Sequence, residues 1–133
     1  MKKIIVDSSV WINFFKKHPD TKLLNSLLLE DWVILHDWIY LELSVGEYGK
    51  LRNQILSDLK LLPRLPSAEW EDLLAFIDKE KLFGKGLSFV DVELLFSSIN
   101  KNCLLWTQDK TLKTFAMKYK VHFAADKNYF NLH

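Results

Sequence analysis

Four acidic residues occupy positions that an ordinary solvated surface does not explain: Asp7, Glu42, Asp91 and Asp109. Asp7 ends the apolar run Ile4-Ile5-Val6, and Asp109 follows shortly after Cys103-Leu104-Leu105-Trp106. If both runs are strands and lie side by side, their carboxylates meet at one sheet edge. In open α/β sheets that edge, beyond the carboxyl ends of the strands, is where ligands bind. Glu42 is embedded in Trp38-Ile39-Tyr40-Leu41-Glu42-Leu43, where a bare buried carboxylate is expensive. Asp91 falls in the first turn of a helix opened by Ser88, beside Phe89 and Val90. Four carboxylates in one pocket repel one another unless a cation lies between them. Hard oxygen donors without His or Cys suit Mg²⁺ or Mn²⁺. Such an ion lowers the pKa of a bound water and neutralises a phosphate during in-line attack. The chemistry to which this set points is phosphodiester hydrolysis.

Each acid also has a structural alternative. Asp7 and Asp109 are suitable helix caps, and Asp91 stands three residues after Ser88, the spacing of a capping box. Glu42 can pair with a lysine or lie on a solvated face. Spacing alone leaves their convergence open. Other chemistries find less support. His18, His36, His122 and His133 show no paired ligand spacing for zinc, and Ser8 and Ser9 lack a G-x-S-x-G elbow. Asp7-Ser8-Ser9 has no second acid two residues on, as an aspartyl-phosphate phosphatase would need. Gly84-Lys85-Gly86 falls short of a dinucleotide or phosphate-binding loop.

The elements that must position these residues alternate. Lys2 to Val6 reads as a buried strand, followed by a helix capped by Ser8 or Ser9 and carrying Trp11, Ile12, Phe14 and Phe15. Pro19 and Asp20 restart a helix with Leu23, Leu24, Leu27 and Leu28. A second strand spans Trp32 to Leu35, and helical patterns follow over Trp38 to Val45 and from about Lys50 to Leu62. Pro66 and Ser67 open a helix with Trp70, Leu73, Leu74 and Ile77, and Gly84 and Gly86 bracket a loop. Ser88 caps the next helix. A third strand runs from Cys103 to Trp106, a helix from Thr107 to Lys118, and a fourth strand is expected over Val121 to Ala124. Strands alternating with helices predict a parallel sheet in an α/β fold.

The chain has 133 residues, 49% hydrophobic and 26% charged, which fits one domain spanning 1–133. The lone Cys103 excludes an internal disulfide or a Cys-rich zinc site and predicts a reducing, cytoplasmic setting. No stretch approaches the ~20 apolar residues of a membrane helix. Lys2 and Lys3 mimic the start of a secretory signal, but Asp7 stops the apolar run. Net charge is +1, unevenly spread: residues 20–71 carry nine acids and five bases, whereas residues 79–120 carry eight lysines and four acids. Setting the four candidate acids aside leaves 13 acids against 18 bases. Lys79, Lys81, Lys85, Lys110 and Lys113 flank the candidate site in sequence and suit a polyanion.

With these residues assembled, the sequence resembles the PIN-domain ribonucleases, and among them the VapC-type toxins of bacterial toxin–antitoxin pairs. Four motifs carry the likeness, in order along nearly the whole chain. They are Ile4-Ile5-Val6-Asp7-Ser8-Ser9-Val10-Trp11-Ile12, Leu41-Glu42-Leu43-Ser44-Val45-Gly46-Glu47, Gly86-Leu87-Ser88-Phe89-Val90-Asp91-Val92-Glu93-Leu94-Leu95, and Leu104-Leu105-Trp106-Thr107-Gln108-Asp109-Lys110-Thr111-Leu112. The resemblance implies a three-layer domain with a short central parallel sheet flanked by helices. It assigns Asp7, Glu42, Asp91 and Asp109 to a Mg²⁺ or Mn²⁺ centre, with Ser9 and Thr107 as polar support. It further implies an endoribonuclease, usually a homodimer, inhibited by a cognate antitoxin lying across the apolar helices of the amino-terminal half. Gln108 departs from the family by standing where a basic residue is common, and no acid follows Asp109 within two positions. A non-catalytic binding module and a DNA or flap nuclease are the alternatives on this scaffold. Four intact acids weigh against the first, and the absence of an added helical arch weighs against the second.

Overall fold

The computed structural model describes residues 2–17 and 22–125. The helix start expected at Pro19 and Asp20 lies outside the described residues, as do His18 and His133. Along the chain run β1 (Ile4–Val6), α1 (Ser8–Phe15), α2 (Lys22–Leu29), β2 (Val33–His36), α3 (Asp37–Ser44) and a 3₁₀ turn at Gly49–Leu51. There follow α4 (Arg52–Leu59), β3 (Arg64–Leu65), α5 (Trp70–Glu80), α6 (Phe89–Asn100), β4 (Leu104–Trp106) and α7 (Lys110–Lys118).

The four strands form a parallel sheet in the order β3-β2-β1-β4. Ile4, Ile5 and Val6 are all fully buried. Successive strand residues point to opposite faces, so both faces of β1 are covered, as three layers require. β1 also sits where the order turns back: β2 and β3 lie on one side and β4 on the other. Its carboxyl end is therefore the topological switch point, the position in such sheets where adjacent connections leave in opposite directions and open a crevice. The pairing Val6↔Trp106 brings the carboxyl ends of β1 and β4 level.

Three local expectations change. The cap of α1 is Asp7 itself, which accepts from the Ser8 backbone N–H at 2.8 Å, rather than Ser8 or Ser9. α5 begins at Trp70, later than Pro66 and Ser67, because the Ala68 N–H donates to the carboxylate of Glu93 and holds this segment out of the helix. The strand expected over Val121 to Ala124 reduces to a single bridge, Leu105↔His122, while the two-residue β3 joins the opposite edge through Leu35↔Arg64 and His36↔Leu65. Gly84 and Gly86 do shape their loop: both have positive φ, at 68° and 81°.

Candidate active site

Asp7 is the anchor of the crevice and is 8% exposed. Its Oδ2 accepts from Ser9 Oγ at 3.0 Å and from Thr107 Oγ1 at 2.7 Å. Those two hydroxyls do double duty. Ser9 Oγ accepts the Gln108 N–H at 3.2 Å, and Thr107 Oγ1 accepts the Asp109 N–H at 3.1 Å. The loop after β4 is thus sewn to the carboxylate after β1, which fixes Asp109 beside Asp7. Gln108 is held in turn by Asn13 Nδ2 at 2.9 Å.

The remaining acids enter from two helices. α3 brings Glu42, and α6 brings Asp91 in its first turn. Asp91 forms a full capping box, its Oδ2 accepting the Ser88 N–H at 3.0 Å while its own N–H donates to Ser88 Oγ at 3.1 Å. Asp109 caps α7 by accepting from Leu112 at 2.8 Å. The structural alternatives for Asp7, Asp91 and Asp109 are therefore realised, while Asp7 and Asp109 still act electrostatically on Asp91. A capping carboxylate keeps lone pairs for a further partner, so the two roles coexist. Capping also locks the rotamers.

The charges sense one another. Burial pushes the Glu42 carboxyl above its ordinary range, and the negative charges of Asp7 and Asp91 push it further, against a hydrogen bond from Ser8. Asp91 is raised mainly by burial, with Asp7 and Asp109 adding to the shift and hydrogen bonds to Ser88 opposing it. Glu42 is exposed as a residue although its carboxyl end is partly desolvated. Its apolar neighbours in sequence thus misstate its burial. Among the described residues no three His, Cys, Asp or Glu side chains stand at metal-ligand spacing. The donor set nevertheless fits a hard divalent cation by chemistry: all oxygen, mutually repelling, and destabilised in a way that a cation relieves. Asp7, Asp91, Asp109 and Glu42 would hold it.

The buried carboxylate that α6 does contain is Glu93, which sequence reasoning passed over. It is 2% exposed, and its partner His36 is 0% exposed. Glu93 Oε2 lies 3.1 Å from His36 Nε2 and accepts the Ala68 N–H at 3.3 Å, while Oε1 accepts from Trp38 Nε1 at 3.1 Å. His36 Nδ1 accepts the Trp38 backbone N–H at 3.0 Å, so the network assigns the imidazole proton to Nε2, facing Glu93. Burial holds the imidazole below its ordinary value, against the pull of Glu93 and Asp37. This latch joins the start of α3 to α6, the two helices that carry Glu42 and Asp91. The signal for it was Glu93 inside Val92-Glu93-Leu94-Leu95, the same apolar embedding that drew attention to Glu42.

No family model matches the sequence. Two relatives named Ribonuclease VapC32, from two strains of Mycobacterium tuberculosis, are 33% identical over 124 residues, which span 92% of this chain and 98% of theirs. The solved structure of PAE2754 from Pyrobaculum aerophilum matches with a TM-score of 0.56 over 90% of both chains, at 13% identity. That second likeness is one of fold.

Proposed function

The chain belongs to the VapC ribonuclease family, and from that premise we propose that it is a Mg²⁺- or Mn²⁺-dependent endoribonuclease acting as the toxin of a toxin–antitoxin pair. The reading is supported by the electrostatic coupling of Glu42 to Asp7 and Asp91, and of Asp91 to Asp7 and Asp109, which adds to the burial that raises Glu42 and Asp91. A divalent ion there supplies charge neutralisation at the phosphate and a more acidic water. Asp7 is the fixed member, held by Ser9 and Thr107. Asp91 and Asp109 are held by their caps, and Glu42 completes the set from α3. The exposed Lys81, Lys85 and Lys118 line, together with Glu80, a hollow of about 450 Å³ between the end of α5 and α7, and offer cations to a polyanion. A small open crevice of this kind favours single-stranded segments or loops over long duplex.

An antitoxin and a second copy of the chain are the protein partners. Leu29, Leu41, Val45, Leu51 and Leu61 are exposed on the amino-terminal half, and the net acidity of residues 20–71 suits a basic partner segment.

The test is cleavage of total cellular RNA by the chain and by Asp7→Asn, with Mg²⁺, with Mn²⁺ and with chelator. Asn caps helices as well as Asp does, so the variant keeps α1. Cleavage is expected to need the ion and to fall more than about 100-fold in Asp7→Asn, beyond the 10–100-fold typical of losing a residue that only supports a ligand. Undiminished cleavage by Asp7→Asn, or in chelator, overturns the assignment.

A further inference from the structure

Phe89, the first residue of α6, is 61% exposed and stands two residues before Asp91. It is braced: its centroid lies 5.4 Å from that of Trp38, with ring planes at 85°. In a perpendicular pair at most one face of the phenyl ring is covered. Trp38 is itself fixed, because its Nε1–H donates to Glu93 Oε1 and its backbone N–H to His36 Nδ1. The latch of His36 and Glu93 therefore ends in a rigid, solvent-facing aromatic pair. Its place is specific. Trp38 and Glu42 are four residues apart on α3 and so are neighbours on one helix face.

We propose that Phe89, backed by Trp38, is a stacking platform for an unpaired base of the substrate RNA, on the Glu42 side of the carboxylate cluster. The proposal deepens the nuclease reading and rests on RNA being the polymer held there. Every base offers a π-face, and base–aromatic stacking accounts for much of single-strand affinity without sequence preference. Phenylalanine has two side-chain torsions, and the contact with Trp38 restricts them further, so little entropy is lost on binding. The backbone near Glu42 would be held by metal-neutralised carboxylates while the adjacent base is gripped by the ring. Cleavage is thereby directed to unpaired nucleotides.

The experiment measures binding of labelled single-stranded RNA hexamers of mixed sequence, and of a blunt RNA duplex, by fluorescence anisotropy. Asp7→Asn serves as the background so that nothing is cut, and Phe89 is replaced by Ala, Leu and Tyr. Phe89→Ala is expected to weaken hexamer binding about 5- to 100-fold, Phe89→Leu to follow it, and Phe89→Tyr to retain affinity. Duplex binding should hardly change. Because the ring is exposed, thermal melting should be the same for all four proteins; the Leu and Tyr comparison decides the matter even if Ala disturbs the helix start. Equal hexamer affinity of Phe and Ala overturns the proposal and leaves the ring to a protein contact. Equal affinity of Phe and Leu overturns stacking in favour of a plain apolar contact. An equal loss on duplex overturns the role in reading unpaired bases. If the chain with Asp7 intact cuts no RNA while the binding pattern holds, the nuclease reading fails and the platform stands; if no variant binds hexamers, both fall.

Discussion

Asp91 and Glu93 sit two residues apart on α6, roughly 200° around the helix, and live in opposite surroundings. Asp91 faces the crevice, among Asp7 and Asp109, with its carboxyl raised. Glu93 faces the interior, where His36, Trp38 and Ala68 all donate to it. The first acid is surrounded by like charge, and the second by donors. A carboxylate with three donors is satisfied without an external partner. A set of carboxylates that repel one another is satisfied only by something brought from outside. The difference separates the two acids more cleanly than burial does, since the buried member here is the one that needs no external partner.

The comparison breaks most sharply at Glu93. Glu93→Ala leaves three donors without an acceptor, each costing about 1–3 kcal/mol when buried, so a loss of about 3 kcal/mol or more is expected. For a chain of this size that lowers Tm by roughly 10 °C. Asp91→Ala forfeits its half of the capping box, about 1 kcal/mol at most, while Ser88 still caps α6, and it relieves repulsion, so it should barely move Tm. Melting curves of the two variants decide the assignment; a larger drop for Asp91→Ala would reverse it.

The two regions also respond to pH with opposite sign. His36 is held below its ordinary value of 6.5 by burial. The unfolded chain therefore takes up a proton there before the folded one does, and stability falls as pH drops below about 6.5. The His36→Gln variant cannot titrate, so its Tm should change less between pH 7 and pH 5.5 than that of the parent. An unchanged slope would show that burial does not hold the imidazole neutral.

What could be read from the sequence follows from the same physics. β1 with Asp7 and β4 with Asp109 were legible because each is an apolar run followed closely by an acid, and the two strands lie side by side in the sheet. The capping box of Ser88 and Asp91 was legible because it is purely local. β3 was not, since Arg64–Leu65 has no pattern of its own and exists only by pairing with Leu35 and His36. The late start of α5 was hidden for the same reason: it depends on Glu93, 25 residues away from Ala68. Glu42 and Glu93 have similar apolar neighbours in sequence, and only the tertiary donors His36, Trp38 and Ala68, which gather at Glu93, tell them apart.

The smallest effect is the most informative about the crevice. Glu42 has its carboxyl raised above its ordinary value of 4.5, so its charged form is less favourable in the folded chain than in the unfolded one. That cost sets in as pH rises through about 4.5 and is fully present at neutral pH. Glu42→Gln removes it, and in chelator at pH 7 the variant should melt slightly above the parent, by the equivalent of under about 1 kcal/mol, because the residue is largely solvent-screened. At pH 4, where the carboxyl is mostly protonated in both states, the advantage should largely vanish. Saturating Mg²⁺ should reverse the order at pH 7, because a ligand stabilises the folded state more the more tightly it binds and the variant has lost a donor. A Glu42→Gln protein that is less stable in chelator would mean that Glu42 is held by favourable contacts, as Glu93 is. One that gains as much from Mg²⁺ as the parent would remove Glu42 from the ion's donor set and leave it to Asp7, Asp91 and Asp109.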